Sequence, residues 1–137
     1  MDLFATPIMC LALTVYHEAR NQSTVGQLAV AQVVMNRVSD DRFPDEVCAV
    51  VKQGIHWQSK PARNMCQFSF YCDGMSDEPR NLTAFQYAYE IADATLDGYQ
   101  HGLLEGSTHY HADYVHPDWA NHHTRIVQID NHIFYRW

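Results

Sequence analysis

Thr6-Pro7-Ile8-Met9-Cys10-Leu11-Ala12-Leu13-Thr14-Val15-Tyr16-His17-Glu18-Ala19-Arg20 is the stretch from which the rest of the chain can be read. Thr6 suits a helix cap, Pro7 suits a first helical turn, and Ile8, Leu11, Ala12, Val15 and Ala19 recur at steps of three and four. The spacing predicts a helix that ends near Arg20. Across the wider segment from Leu3 to Asn36, Glu18 and Arg20 are the only formal charges. A carboxylate set where the chain otherwise supplies core material is desolvated, which raises its pKa towards the range of a proton donor near neutrality. In the last helical turn the negative end of the macrodipole pushes the same way. Arg20 does not cancel either effect, because residues two apart on a helix point to different sides. The competing reading is that Glu18 ends the helix and faces water.

Outward from this segment, Asn21 to Thr24 forms a polar break. Thr24 with Gln27 then makes a capping-box pattern ahead of Leu28 to Met35. That second helix is apolar almost all round, which predicts a course through the middle of the domain. A third helix follows Phe43-Pro44, with Val47, Val50 and Val51 as its buried stripe. Thr83 and Gln86 repeat the capping-box pattern before Phe85, Ala88, Tyr89, Ala92 and Leu96, and Gly98 supplies the stop. Gln67 to Tyr71 and Ser107 to His111 read as short, aromatic-rich strand-like segments, and Arg125 to Ile129 with Ile133 to Tyr135 read as a hairpin. Gly54 to Asn64 is expected to be a surface loop. Neither repeat nor linker divides the sequence, so residues 1–137 are expected to form a single α+β domain, mainly helical with a small antiparallel sheet.

Of 137 residues, 47% are hydrophobic and 12% aromatic, enough for one core. Nine Lys and Arg against 16 Asp and Glu give a formal charge of −7, which argues against a nucleic-acid groove or an anionic membrane as partner. A neutral or weakly charged polymer fits better. The uncharged run from Leu3 to His17 is broken by Thr6-Pro7 and contains Thr14, and Met1-Asp2-Leu3 has no basic character, so neither a spanning helix nor a secretory signal is predicted. A cytosolic, monomeric product without its own export address is the expectation. Cys10 and Cys48 lie on apolar helical faces and are expected to pack as small hydrophobes. Cys66 and Cys72 flank five residues and suit a disulfide in an oxidising compartment or two thiols in a reducing one.

A buried glutamic acid beside aromatic side chains suits protonation of a glycosidic oxygen. Ordinary glycosidases need a second carboxylate, yet the next acid after Glu18 is Asp40. A substrate whose own hydroxyl attacks the anomeric carbon dispenses with that second group. His109-x-His111, with Asp113 and His116 nearby, could be tested as a zinc site, but nine histidines make a chance pairing easy. They read better as a polar rim, with no metal and no cofactor. Trp57, Trp119 and Trp137 carry no assigned role.

The segments Tyr16-His17-Glu18-Ala19-Arg20, Gly26 to Ala31 with Val33-Val34-Met35-Asn36-Arg37, Arg42-Phe43-Pro44, Gln67-Phe68-Ser69, Thr108-His109-Tyr110-His111 and Asn131 to Tyr135 resemble the SleB-type cell wall hydrolases. This family includes spore cortex-lytic enzymes and many bacteriophage lysins. The resemblance implies a lysozyme-like fold and a peptidoglycan-cleaving activity in which the Glu of Glu-Ala-Arg, here Glu18, is the catalytic acid. It further implies a lytic transglycosylase, in which the muramic acid C6 hydroxyl attacks its own C1 and leaves a 1,6-anhydro end. Family members usually continue the motif as Arg-Gly-Glu. This chain has Arg20-Asn21-Gln22, so an amide replaces the second acid and can hydrogen-bond a sugar but cannot ionise.

On the same resemblance Gln67, Phe68 and Ser69 suit a carbohydrate groove, while Phe68 equally reads as core and the polar pair as satisfying a strand edge. Tyr110 is expected to face the substrate, with His109 and His111 on the opposite strand face. The expected substrate-binding residues are thus Gln22, Gln67, Phe68, Ser69, Tyr110 and His111. A phage enzyme of this kind waits for a membrane lesion made by a partner such as a holin. A zinc-dependent N-acetylmuramoyl-L-alanine amidase built on His109 and His111, and a non-catalytic glycan-binding module, are the alternatives.

Overall fold

The computed structural model describes residues 2–100 and 102–137. Three helices and a hairpin come first: α1 (Pro7–Ala19), α2 (Thr24–Val38), α3 (Val47–Val51), then β1 (Gly54–Trp57) and β2 (Lys60–Cys66). A 3-10 turn over Ser69–Cys72 leads to α4 (Leu82–Leu96), and β3 (His109–Ala112), β4 (Thr124–Ile129) and β5 (His132–Arg136) close the chain. The second sheet is antiparallel in the order β3-β5-β4, so β3 lies at an edge. This is the expected α+β, lysozyme-like architecture.

Thr6 caps α1 as its sequence implies, its hydroxyl accepting from the Met9 amide at 3.3 Å. The two capping boxes are displaced. Ser23, not Thr24, caps α2 by accepting from Gly26 N at 3.1 Å, and Asn81, not Thr83, caps α4 by accepting from Ala84 N at 3.0 Å. Tertiary contacts select both sites. The Asp130 carboxylate accepts from the Ser23 amide and hydroxyl at 2.9 and 2.7 Å, and the Tyr16 hydroxyl accepts from the Asn81 amide at 3.1 Å. Gly98 has φ +110°, a conformation that favours glycine, just past the end of α4.

α1 packs against α2, α3 and α4. One core contains Leu11, Leu13, Val15, Val34, Val50, Val51, Ile91 and Ala92; a second contains Ala29, Val33, Leu104, Ile129 and Phe134. α2 contributes to both, which is why its sequence is apolar nearly all round and why it runs through the middle of the domain. Among the described residues, no helix is long and apolar enough to cross a membrane.

Three expectations are corrected. Cys10 and Cys48 are not separate packing residues but a disulfide joining α1 to α3, with S–S 2.13 Å and Cα–Cα 5.3 Å. Their apolar faces meet each other, and no local pattern reveals which faces meet. The segment from Gly54 is a hairpin rather than a loop; it turns at Gln58 and Ser59, whose φ values of 52° and 67° are left-handed without the usual Asn-Gly signal. Gln67 to Tyr71 is not strand-like. Cys66 and Cys72 form the second disulfide with Cα–Cα 6.1 Å, whereas six extended residues would span about 20 Å, so the intervening chain coils into a 3-10 turn.

Candidate active site

Glu18 occupies the last turn of α1 and lines a cleft of about 160 Å³. Arg37 from α2, Gln67 and Phe68 from the loop inside the second disulfide, His109 and Tyr110 from β3, and Trp119 complete the lining. Among the described residues Glu18 is the sole carboxylate in it. Burial holds its carboxyl above the ordinary carboxylate range; a hydrogen bond from the Tyr110 hydroxyl to Oε1 and the positive charge of Arg37 oppose that shift without reversing it. Tyr110 is itself pushed well above its ordinary range, first by burial and then by Glu18, so it remains a neutral donor.

Arg20 turns away, its guanidinium lying 5.1 Å from the centre of the Tyr16 ring, as expected for a residue two positions from Glu18. Glu18 nevertheless has a cationic neighbour in Arg37, from a different helix. Arg37 is 4% exposed, donates from Nε to the Thr108 carbonyl at 2.7 Å, and lies over the rings of Phe43 and Phe68 at 5.0 and 5.3 Å. One of its terminal nitrogens is buried without a protein partner. It is the only formal charge in α2. As a lone charge inside an apolar helix it carries the same sequence signal as Glu18.

Of the expected substrate contacts, the fold brings Gln67, Phe68 and Tyr110 to Glu18. Phe68 is 2% exposed within the core and also lines the cleft. Ser69 opens the 3-10 turn at an exposed position outside the lining. Gln22 also lies outside it, in the turn between α1 and α2, where its carbonyl accepts from Gln27 Nε2 at 3.3 Å. His111 is turned into the sheet. Its Nδ1 donates to the Ala112 carbonyl at 2.7 Å, which leaves Nε2 to accept from the Tyr135 hydroxyl at 2.9 Å.

His109 takes the place in the cleft that His111 was expected to fill. Alternation puts the two histidines on the same strand face, but β3 is an edge strand and the cleft meets it at its first residue. The His109 ring stacks on Trp137 at 3.6 Å, and its pKa is pushed down to about 3 by burial and by the positive neighbours Arg37, His123 and Arg42, against the pull of Asp40. Trp119 comes from a 3-10 turn (Asp118–His122), and no sequence signal distinguished it from Trp57, which is 75% exposed on β1. Among the described residues, no three His, Cys, Asp or Glu side chains are grouped as a metal-binding set. Asp113 and His116 instead bond Gln128 at 3.2 Å and Asn121 at 2.9 Å.

Known proteins share this arrangement of elements. The fold matches the catalytic domain of the Bacillus cereus SleB protein with a TM-score of 0.66 and 25% identity, covering 95% of this chain and 89% of that one. It also matches the catalytic domain of the germination-specific lytic transglycosylase SleB from Bacillus anthracis, with a TM-score of 0.67, 26% identity and coverage of 95% and 93%. In sequence the chain is 31% identical over 132 residues to the spore cortex-lytic enzyme of Halalkalibacterium halodurans, covering 93% of this chain and 34% of that protein. The Bacillus subtilis spore cortex-lytic enzyme is 28% identical over 127 residues, with 93% and 36% covered. The chain therefore spans about a third of the length of these curated relatives. Residues 21–135 match the family model described as Cell Wall Hydrolase, and the chain belongs to that family.

Proposed function

We propose that this chain degrades peptidoglycan by cleaving the β-1,4 bond between N-acetylmuramic acid and N-acetylglucosamine as a lytic transglycosylase, with Glu18 as acid and then base. The observation that carries the reading is the Glu18 carboxyl itself: buried, held towards its protonated form, and the one carboxylate lining its cleft. With Oε1 accepting from Tyr110, the proton resides on Oε2. Glu18 gives that proton to the bridging oxygen as the bond from muramic C1 breaks. The muramic C6 hydroxyl then adds to C1 and returns its proton to the carboxylate. One C–O bond breaks, another forms, no water is consumed, and Glu18 ends as it began. Arg37 and Tyr110 keep the acid from holding its proton too tightly to give it up.

Digestion of purified peptidoglycan followed by mass spectrometry tests this. Products ending in 1,6-anhydro-muramic acid are expected, with no loss of activity in a chelator. Reducing muramic ends would replace transglycosylation by hydrolysis on the same acid. Reducing glucosamine ends would move the cut to the other glycosidic bond, free stem peptides would establish the amidase alternative, and binding without fragments would leave a glycan-binding module.

A further inference from the structure

A hollow of about 240 Å³ lies between the last turn of α1 and the chain leading into α4, and it shares no lining residue with the Glu18 cleft. Arg20 and Arg80, Asp73 and Glu78, and His17 and Met75 line it. Resting on the peptidoglycan reading above, we propose that this hollow binds the stem peptide of the substrate, at a residue whose side chain ends in both an ammonium and a carboxylate, as that of diaminopimelate does. Its two walls are tied together before any ligand arrives. The His17 ring stacks on Phe70 at 4.7 Å and its Nε2 donates to the Asp77 carbonyl at 2.8 Å, while the Tyr16 hydroxyl accepts from the Arg80 amide at 3.2 Å. The backbones that carry the charges are therefore fixed in advance, which lowers the ordering cost of binding.

Charges of both signs line the hollow without cancelling. Among the described residues the one ion pair is Arg42 with Asp40, so neither Arg20 nor Arg80 is paired with Asp73 or Glu78. The Arg20 guanidinium rests over the Tyr16 ring at 5.1 Å, and the Arg80 side chain has no polar partner among the described residues. Asp73 accepts one bond, from the Met75 amide at 2.9 Å, and the Glu78 carboxylate accepts none among the described residues. A neutral sugar answers neither sign, and a simple anion or cation answers one while being repelled by the other. A zwitterionic end answers both, its carboxylate on the guanidiniums and its ammonium on the carboxylates, with its methylenes against Met75.

Reach agrees with charge. His17 and Arg20 are three positions apart and share a helix face, whereas Glu18 is turned about 100° from His17 within the same turn. The hollow and the acid thus flank one helix end from different sides. A helix is about 10–12 Å across with its side chains, and the third residue of an extended peptide lies about 10 Å along it. A stem peptide hung from the muramic sugar at Glu18 therefore brings its third residue, the position that diaminopimelate holds in such stems, to the hollow.

Calorimetric titration of the Glu18→Gln protein with a disaccharide tripeptide ending in diaminopimelate tests the assignment, alongside the same compound amidated at its side-chain carboxylate or acetylated at its side-chain amine. The uncapped compound is expected to bind about tenfold more tightly than either capped form. Adding Arg20→Gln with Arg80→Gln should remove the preference over the amide and keep the preference over the acetylated form; adding Asp73→Asn with Glu78→Gln should do the reverse. Equal affinity for the three compounds, or variants that weaken all three alike, would overturn the stem site. Digestion by the unmodified protein of intact peptidoglycan and of glycan stripped of its stems by an amidase separates the two levels. Intact wall is expected to show kcat/KM about tenfold higher, and the arginine variant with Glu18 restored to digest stripped glycan as fast as the parent. Equal kcat/KM on both substrates sinks the stem site alone, whereas digestion of neither sinks the catalytic reading.

Discussion

Glu18 and Arg37 reach the cleft from long helices whose inner faces are solid core, whereas Gln67, Phe68, His109 and Trp119 reach it from a disulfide loop, an edge strand and a 3-10 turn. Leu11, Leu13 and Val15 beside Glu18, and Val33 and Val34 beside Arg37, have no exposed surface. On the facing wall Gln67 is exposed, Trp119 is half-buried and Trp137 is 40% exposed. The helical wall is held by packing that a one-methylene change would disturb, so it suits a group whose proton affinity must stay fixed. The facing wall reaches solvent at Gln67 and Trp119, although Phe68 and His109 are themselves buried, and it suits recognition of a polymer.

Damage to the helical wall should therefore strike chemistry, and damage to the facing wall should strike binding. Glu18→Gln is expected to lower the rate of peptidoglycan fragment release by about two to four orders of magnitude. The same variant should be more heat-stable than the parent at pH 7. Between the ordinary carboxylate range and the raised value, native Glu18 keeps a proton that the unfolded chain has lost, so native stability falls as pH rises through that window. Below it the two melting temperatures should converge. A Glu18→Gln protein no more stable than the parent at neutral pH would show that the carboxyl is not desolvated.

Tyr110→Phe removes a donor that favours ionised Glu18, so the basic limb of the kcat/KM profile should move to higher pH while the plateau falls about tenfold. A limb displaced to lower pH would reverse the assigned role of that hydroxyl. The smallest functional effects belong to the disulfides, and they separate the walls most finely. Chain entropy assigns about 4 kcal/mol to the Cys10–Cys48 closure and about 2 kcal/mol to Cys66–Cys72. Replacing the first pair by serines should lower the denaturant midpoint and leave the rate of fragment release by the folded protein unchanged. Replacing the second should cost less stability yet raise KM a few-fold, because Gln67 and Phe68 lie inside the loop it closes. Should kcat fall instead, the facing wall takes part in the chemistry.

The helices and their sense of burial were readable from Thr6, Pro7 and the three-and-four spacing that follows, because a helix is set by neighbours within one turn. The β4–β5 hairpin was readable for the same local reason. The β1–β2 hairpin was not, since its turn places Gln58 and Ser59 in a backbone conformation that their side chains do not announce. Glu18 stood out because a charge in an apolar helix is anomalous wherever the helix goes. The sequence pointed to His111 for the cleft that His109 lines in the structure, because strand alternation says which residues share a face but not where a cleft meets a sheet edge.

Sequence alone determined where α1 begins and ends to within a residue or two, that Glu18 lies in its last turn, and that Arg20 cannot neutralise it. Tertiary structure alone decided that Tyr110, 92 positions away, donates to Glu18, that Arg37 reaches the Thr108 carbonyl 71 positions away, and that Cys10 bonds Cys48. The division follows from range. Capping, periodicity and the helix dipole act within a turn of the residue concerned, whereas the environment that sets a proton's affinity is assembled from elements that meet only when the core closes.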